Sequence, residues 1–310
     1  MVALQNSTST LKLNTGQTIP QVGLGTWRSK ENEGYKAVIE ALKAGYRHID
    51  GAAVYGNEDQ VGKGIRDSGV PRNEIFLTTK LWCTQQRNPQ EALDQSLQRL
   101  GLDYVDLYLV HWPVPLRTEN IKDGNLFQFA QKPDGSKDVD LEWNFIKTWE
   151  LMQKLLESGK TKAIGVSNFS VNNLKDLLAA PTTKVTPAVN QVELHPLLPQ
   201  EELIQYCSEK GIVIEAYSPL GGENAPILSD STVQEIAKAN GVEAGHVVIS
   251  WAVQKGLVTL PKSVTPARIV GNLKVLTLSD SDVAKVDGMV KAKGERRTCY
   301  TDFSPFPIFQ

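Results

Sequence analysis

Short apolar segments alternate with amphipathic helical segments along the chain, and this alternation is the feature that most limits its fold. Strands separated by helices form a parallel sheet, because a parallel crossover needs a connection about as long as a helix. Eight such strands can close into a (β/α)8 barrel, and an open doubly wound sheet is the alternative. The predicted strands are 21–25, 47–52, 76–81, 105–112, 163–168, 189–194, 213–218 and 257–262. The helical patterns between them include 33–44, 89–100, 144–158, 200–210 and 244–254.

The residues that end the predicted helices, and the lack of a linker, indicate that residues 1–310 form a single barrel domain. A glycine that adopts the left-handed conformation is a common end for a helix. Four predicted helices are followed by such a candidate: Gly45, Gly101, Gly159 and Gly211. No Pro- or Ser-rich linker divides the sequence. We therefore predict a (β/α)8 TIM barrel with an N-terminal β-hairpin, 11–20, closing its bottom and a C-terminal loop, 298–310, over the site.

The composition argues against several classes of protein. Lys and Arg number 33 against 35 Asp and Glu, a formal charge of −2, so we expect no nucleic-acid surface. No apolar run approaches the roughly 18 to 20 residues of a membrane span, and the first ten residues lack a secretory pattern. We therefore expect a cytoplasmic protein, a monomer or weak dimer, with no membrane partner.

The cysteines indicate a reducing compartment. Cys83, Cys207 and Cys299 are odd in number and far apart, which fits reduced thiols better than a disulfide framework. Either Cys83 or Cys299 could be reactive, but no sequence feature establishes a lowered thiol pKa.

Four polar side chains lie at or just beyond the ends of three predicted strands. Asp50, Lys80 and His111 lie at strand ends, and Tyr55 follows Asp50 in the next loop. The carboxyl ends of parallel strands about 4.8 Å apart meet at one rim, where barrel enzymes place their chemistry. These groups together can move protons. The sequence therefore favours an active site over the alternative, a structural Asp–Lys pair with an ordinary Tyr and His.

Three tryptophans are also expected at this rim. Trp27, Trp82 and Trp112 follow the first, third and fourth predicted strands. Each could be an ordinary packing residue, but three on one rim favour an aromatic wall around a pocket. A long loop, 116–141, comes after Trp112, and a loop of that length in a compact domain is more often functional than accidental.

Residue spacing does not support two other kinds of site. The stretch 23–28 lacks the G-x-G-x-x-G pattern of a Rossmann nucleotide site. His48, His195 and His246 show no metal-ligand spacing, so we expect structural roles for them and no metal.

Three stretches of the sequence resemble the signatures of the aldo-keto reductases. They are residues 45–58, residues 162–169, and residues 260–263 with Arg268 and Asn272 downstream. The three occur in the family's order, and the resemblance covers nearly the whole chain. Within the family, the chain most resembles yeast NADPH-dependent carbonyl reductases of the glycerol dehydrogenase-like type.

The resemblance implies a barrel that transfers a hydride from NADPH to the carbonyl of aldehydes, ketones or ketoesters and uses no metal. Asp50, Tyr55, Lys80 and His111 match the family's catalytic tetrad. Tyr55 is then the proton donor, and we expect the Lys80 cation to lower the pKa of Tyr55 by stabilising the phenolate. Asp50 holds Lys80 charged, and His111 orients the substrate oxygen.

Other functions stay open at this point. An aldose (xylose) reductase has the same fold and cofactor, and a nicotinamide-nucleotide-binding regulatory subunit would show little turnover. A lyase or aldolase would use Lys80 as a Schiff base, although Asp50 disfavours this by keeping the amine charged.

The resemblance also implies binding residues. We expect Lys262 and Arg268 to hold the 2′-phosphate of NADPH, since cations near one short helix can grip a phosphate. The expected cofactor-binding residues are Thr26, Trp27, Asp50, Ser167, Asn168, Gln191, Tyr217, Ser218, Leu220, Lys262, Ser263, Val264, Thr265, Arg268 and Asn272. The expected substrate-binding residues are Trp27, Trp82, His111, Trp112, Phe127 and Phe129.

Two positions depart from the family's pattern. Gly51 stands where the family usually has Thr or Ser, which removes a hydroxyl and is expected to loosen the backbone. The loop after Ser218 has Glu223 and Asn224 where relatives with a clamped cofactor have an Asp that pairs with the lysine equivalent to Lys262. Which of the two residues clamps the cofactor here is open.

Overall fold

Eight parallel strands form a barrel in the computed structural model, which describes residues 3–121 and 123–309. Each strand pairs with the next one along the chain, and the parallel bridges Val22–Thr259 and Gly25–Lys262 join the eighth strand back to the first. The predicted (β/α)8 TIM barrel is therefore confirmed. The strands are β1 (Leu24–Gly25), β2 (His48–Asp50), β3 (Phe76–Leu81), β4 (Leu107–Val110), β5 (Ile164–Ser167), β6 (Val189–Glu193), β7 (Val213–Tyr217) and β8 (Val258–Leu260).

Helices follow the strands and pack against their neighbours around the sheet. The predicted helix at 144–158 is α-helical over Phe145–Lys154 and tightens to a 3₁₀ turn over Leu155–Ser158. Within the described ranges, no helix is long and apolar enough to cross a bilayer. The α-helices are α1 (Glu33–Ala44), α2 (Glu58–Asp67), α3 (Pro89–Leu100), α4 (Phe145–Lys154), α5 (Val171–Ala179), α6 (Glu201–Glu209), α7 (Ser231–Asn240), α8 (Ala244–Gln254), α9 (Pro266–Asn272), α10 (Asp280–Asp287) and α11 (Met289–Lys293).

Glycine ends the helical segments where the sequence predicted it. Gly45, Gly101, Gly159 and Gly211 have φ values of 111°, 61°, 70° and 67°. A side chain is costly in this left-handed region, because its Cβ crowds the backbone. The four glycines therefore turn the chain from helix back towards the next strand.

The N-terminal hairpin closes the bottom of the barrel, as predicted. Its strands, Thr10–Lys12 and Thr18–Pro20, pair antiparallel. Leu13 and Ile19 are buried against apolar residues from the barrel strands, including Phe76. Apolar burial of this kind stabilises the fold by about 25 cal/mol per Å². The hairpin thus seals one end of the barrel, and the carboxyl ends of the strands carry the polar side chains.

Candidate active site

Asp50 and Lys80 form a buried ion pair at the carboxyl ends of β2 and β3. Lys80 Nζ lies 2.7 Å from Asp50 Oδ1 and 2.9 Å from Oδ2. It also donates to the Gly51 carbonyl oxygen at 2.8 Å and lies 3.5 Å from Tyr55 Oη. Burial opposes the charge on the amine, but Asp50 and Tyr55 outweigh burial and raise the pKa of Lys80. Lys80 is therefore a cation at neutral pH.

The backbone at Gly51 is held on both sides. The Gly51 N–H donates to the Thr78 carbonyl oxygen at 2.9 Å, and its own carbonyl oxygen accepts the bond from Lys80. Both of its backbone groups therefore have partners, and the expected loosening at this glycine stays a prediction.

Tyr55 comes from a short 3₁₀ turn, Ala53–Tyr55, that follows β2. Its ring lies 5.1 Å from Lys80 Nζ. Enclosure by protein raises the pKa of Tyr55 to about 12, and Lys80 offsets only part of that rise. Lys80 thus lowers this pKa as expected, but burial outweighs the cation, and the pKa lies above its usual value in the free protein. The phenol keeps its proton at neutral pH.

His111 lies at the end of β4, between the rings of Tyr55 and Trp82, at centroid distances of 5.8 and 5.3 Å. Burial and then the charge of Lys80 lower the pKa of His111 well below its usual value. Its Nδ1 atom is buried and has no partner among residues 3–121 and 123–309. His111 is therefore a neutral imidazole, suited to a hydrogen bond with a neutral or polarised oxygen.

A cleft of about 580 Å³ opens above these residues. Asp50, Tyr55 and His111 line it, and Lys80 lies behind them. The other predicted residues that line it are Trp27, Trp82, Trp112, Phe129, Ser167, Asn168, Gln191, Tyr217, Ser218, Leu220 and Lys262. The structure therefore brings most of the predicted site residues to one cavity.

One end of the cleft is aromatic. The ring centroids of Trp82 and Phe129 lie 5.1 Å apart in an edge-to-face arrangement, and those of Trp112 and Phe303 of the C-terminal tail lie 5.4 Å apart. Trp82 and Trp112 are buried, whereas Trp27 is 44% exposed at the mouth. An apolar wall of this kind holds the organic part of a ligand by burial.

Phe127 does not line this cleft, which corrects its predicted substrate-binding role. Its ring instead lies 5.1 Å from the guanidinium of Arg99 on α3. An arginine stacked on an aromatic face gains a cation–π attraction. The long loop therefore turns Phe127 towards the outer helix and Phe129 towards the cleft.

The other end of the cleft is polar and internally bonded. Asn168 has a φ of 64°, a conformation that Asn tolerates better than most residues. Its Nδ2 donates to the His111 carbonyl oxygen at 2.9 Å, and its Oδ1 accepts from Tyr217 Oη at 2.8 Å. Ser167 Oγ donates to the Gln191 carbonyl oxygen at 2.8 Å. These bonds fix the positions of the amide and hydroxyl groups at this end.

Several residues predicted for the cofactor do not line the cleft. The Thr26 hydroxyl is buried and donates to the Asp50 carbonyl oxygen at 2.8 Å. The others follow Lys262 into α9, where Arg268 is exposed. They are Ser263, Val264, Thr265, Arg268 and Asn272. Their contact with a cofactor stays a prediction.

Glu223 pairs with Arg28 across the mouth of the cleft, at 3.1 Å. Both side chains are exposed, 60% for Arg28 and 75% for Glu223, so the pair is worth about 1 kcal/mol or less. Lys262 Nζ instead lies 3.4 Å from the Arg28 carbonyl oxygen. In this structure, Glu223 therefore pairs with Arg28 rather than with Lys262.

Some lining residues were not assigned from the sequence. Arg28 and Val54 come from loops next to predicted residues, and Cys299 and Thr301 come from the C-terminal tail. The position of Cys299 confirms that the tail folds over the site. Burial raises the pKa of the Cys299 thiol, and Cys83 is buried with its pKa raised by the same cause. Neither thiol has the lowered pKa of a reactive cysteine.

A barrel enzyme with a buried Asp–Lys pair beside a phenol and an imidazole is the class that this fold and site define. The model of the Aldo/keto reductase family matches residues 21–291. Glycerol 2-dehydrogenase (NADP(+)) of Saccharomyces cerevisiae is 63% identical over 308 residues, 99% of each chain. An aldehyde reductase of the same yeast is 59% identical over the same share of each chain.

Solved structures agree with this match. The aldose reductase from Schistosoma japonicum has a TM-score of 0.86 to this chain at 35% identity, over 94% of both chains. The chain therefore belongs to the aldo/keto reductase family, and the resemblance carried by its three signature stretches is confirmed.

Proposed function

We propose that this protein catalyses the NADPH-dependent reduction of aldehydes, ketones or ketoesters, with Tyr55 as the proton donor. The observation that carries the proposal is the position of the Tyr55 hydroxyl, which lines the cleft 3.5 Å from the Lys80 ammonium. Two relatives of high identity are named as an NADP(+) dehydrogenase and an aldehyde reductase, which supports the cofactor and the reaction.

The donor set of the cleft fits a nicotinamide dinucleotide phosphate. Asn168 and Gln191 offer amides, Tyr217 offers an aromatic ring, and Ser218 offers a hydroxyl near the mouth. Lys262 adds a cation at the open end, next to the start of α9. These groups match, in kind, a carboxamide, a flat ring, sugars and phosphates. When bound, NADPH supplies the hydride that reduces the carbonyl carbon.

The residues at the base supply the proton and hold the charge that forms. Tyr55 donates its proton to the carbonyl oxygen, which leaves a phenolate next to Lys80. The attraction between Lys80 and Tyr55 is greatest when the phenol is ionised, so it lowers the barrier selectively. Asp50 keeps Lys80 charged and fixes its position through two hydrogen bonds.

His111 orients the substrate. As a neutral imidazole it hydrogen-bonds the carbonyl oxygen and aims that oxygen at Tyr55. A neutral imidazole is a weak acid, so Tyr55 remains the better proton donor. The aromatic wall around Trp82 and Trp112 excludes water from the reacting oxygen, which strengthens both interactions.

A screen of NADPH oxidation across aldehydes, ketones, ketoesters and aldoses tests the proposal. We expect turnover with several carbonyl compounds and a clear preference for NADPH over NADH. Tight NADPH binding with no turnover of any carbonyl class would favour the regulatory-subunit alternative. Covalent trapping of substrate on Lys80 by borohydride would favour a lyase or aldolase.

We further propose that the protein acts in the cytoplasm, as a monomer or weak dimer, on small-molecule substrates. The near balance of acidic and basic residues, a formal charge of −2, supports the absence of a nucleic-acid partner. Sedimentation at micromolar concentration tests the oligomeric state, and localisation of the tagged protein tests the compartment. A stable higher oligomer, or export from the cytoplasm, would contradict them.

A further inference from the structure

A second group of buried polar residues lies inside the barrel, next to the tetrad. Glu215 on β7 and His48 on β2 are both fully buried. His48 Nε2 lies 3.2 Å from Glu215 Oε1, and His48 Nδ1 lies 3.1 Å from the Pro20 carbonyl oxygen. Gln191 on β6 joins this pair to Asp50. The mechanism above uses neither Glu215 nor His48.

The geometry places one proton on His48 but leaves the His48–Glu215 contact without a hydrogen bond. The Pro20 carbonyl oxygen only accepts hydrogen bonds, so His48 Nδ1 carries a proton. His48 Nε2 and Glu215 Oε1 lie 3.2 Å apart but are not aligned for a hydrogen bond, and neither atom has another partner among the described residues. The hydrogen bond from Gln191 is therefore the one that Glu215 accepts with its other carboxyl oxygen.

The same geometry fixes the orientation of the Gln191 amide. One of its two terminal atoms lies 2.8 Å from Asp50 Oδ1 and 2.6 Å from Glu215 Oε2. Both neighbours are carboxyl oxygens, so this atom is the nitrogen and donates both of its hydrogens. The amide oxygen is then the only polar atom of the Gln191 side chain that is left to bond a ligand. Gln191 lines the cleft.

We propose that Glu215 is a positioning residue for cofactor binding: with Asp50 it fixes the Gln191 amide so that its oxygen faces the cleft. The oxygen then accepts a hydrogen bond from the carboxamide N–H of the nicotinamide. The inference rests on the proposed use of NADPH. Asp50 alone could hold one amide hydrogen, but the second would lose its partner without Glu215.

The rival explanation is that Glu215 only satisfies buried polar groups and so stabilises the barrel. Loss of Glu215 would then lower the stability of the protein and weaken the binding of all ligands of the cleft alike. The positioning role predicts a narrower effect, because only ligands with a carboxamide N–H should bind more weakly. The two explanations therefore differ in their dependence on the ligand.

The removal variant is Glu215→Met, and its matched control is Glu215→Gln. Methionine is close to glutamate in length, and its thioether is only a weak acceptor for the hydrogen bond from Gln191. The amide introduced by Glu215→Gln can accept the hydrogen bond from Gln191 with its oxygen and places its NH₂ group beside His48 Nε2. The conservative variant thus keeps the hydrogen bond from Gln191 and removes only the acidic group.

Binding of three ligands is measured by fluorescence titration and calorimetry: NADPH, its 3-acetylpyridine analogue and adenosine 2′,5′-bisphosphate. The analogue has a methyl ketone in place of the carboxamide and so has no N–H, and the bisphosphate has no nicotinamide. We expect Glu215→Met to raise the Kd of NADPH about two- to tenfold, the worth of one neutral hydrogen bond. The other two Kd values should change by less than about twofold, and Glu215→Gln should restore NADPH binding.

Two outcomes would overturn the inference: equal losses for all three ligands, or unchanged NADPH binding in the folded Glu215→Met protein. Thermal unfolding shows whether the variant folds. If it does not, Glu215→Thr serves for the same comparison, because Thr is favoured in strands and its hydroxyl is too short to reach Gln191. Failure of the unaltered protein to bind NADPH would instead refute the proposed function.

Discussion

The two ends of the cleft are built in different ways. At the tetrad, Asp50, Lys80 and His111 lie at strand ends, and hydrogen bonds between neighbouring strands set their positions. At the aromatic end, Phe129 comes from the long loop and Phe303 from the C-terminal tail. Loops tolerate sequence change more readily than strands do. The tetrad is therefore built on the barrel, and the aromatic end is built on parts that can vary without disturbing the barrel.

Glu193 links the two kinds of structure. Its buried carboxylate, at the end of β6, accepts hydrogen bonds from Thr298 N at 2.7 Å, Thr298 Oγ at 2.5 Å and Cys299 N at 2.8 Å. His195 Nε2 lies 3.0 Å away. Burial raises the pKa of this carboxyl, but these partners outweigh burial and lower it. An ionised strand residue thus fastens the tail over the cleft.

The largest effect is expected at the tetrad, from Tyr55→Phe. Only the proton donor is lost, so kcat should fall by about 10²- to 10⁴-fold while the Kd of NADPH stays nearly the same. Tyr108→Phe is the matched control, because the buried Tyr108 hydroxyl has no partner among the described residues. Stopped-flow kinetics and cofactor titration give both quantities. Substantial residual turnover at saturating substrate would rule out Tyr55 as the donor.

A smaller effect is expected from Arg268→Ala, at the outer edge of the polar end. One charge-assisted hydrogen bond to the 2′-phosphate is worth about 1.5 to 3 kcal/mol, so the Kd of NADPH should rise roughly ten- to a hundredfold. NADH binding should change little. Lys238→Ala, which removes an exposed cation near the end of α7, is the control. Equal losses for both cofactors would leave Arg268 with a purely structural role.

At the aromatic end, we expect aromatic and medium-chain aldehydes and activated ketoesters to have a higher kcat/KM than xylose, by about tenfold or more. The hydroxyls of xylose would lose water without partners on the wall formed by Trp27, Trp82 and Trp112, which costs a few kcal/mol per group. Side-by-side kinetics with benzaldehyde, a ketoester and xylose provide the check. A preference for xylose would show that the tail adds polar contacts, and would favour the aldose reductase alternative.

Fastening of the tail should affect substrate binding more weakly still. Glu193→Gln replaces one acceptor oxygen with an NH₂ group that cannot accept from the tail, so the tail should loosen. We expect the KM for a bulky aromatic aldehyde to rise about threefold, the worth of roughly one hydrogen bond. Asp302→Asn, at an exposed tail residue, is the control. An unchanged KM in Glu193→Gln would separate the tail from substrate binding.

The smallest effect concerns pH. The Tyr55 pKa of about 12 keeps the acid protonated well above neutral pH, and the lowered pKa of His111 keeps the imidazole neutral. Since neither group changes its charge between pH 6 and 8, kcat/KM for reduction should vary by less than about twofold in that window. A pH–rate profile with a histidine-like inflection near pH 6.5 would contradict the neutral imidazole.

The sequence predicted the barrel and the tetrad because both follow from local patterns. Short apolar runs locate the strands, and a polar residue at the end of such a run, like Asp50 or Lys80, must lie on the common rim. The predicted substrate-binding role of Phe127 was wrong, because a long loop can turn alternate side chains towards either surface. The sequence did not predict the overall rise in the pKa of Tyr55, because the enclosure of a side chain depends on packing that one motif does not show.

The acids that support the site were missed, although the sequence carried a signal for them. Glu215 lies between apolar residues in β7, and Glu193 ends the buried strand β6 directly after Val192. A buried acid in such a segment needs hydrogen-bond donors from neighbouring elements. Their partners, Gln191 and the 298–299 segment of the tail, are brought to them only by the folded barrel.

Gly51 leaves room for a side chain beside the ion pair. A Cβ added there would lie 3.5 Å from the Thr78 carbonyl oxygen and 3.7 Å from Thr26 Oγ, ordinary contact distances. A small residue at position 51 therefore needs no compensating substitution to place its Cβ. Because Lys80 bonds to the backbone oxygen of this residue, the bond does not depend on which side chain stands there.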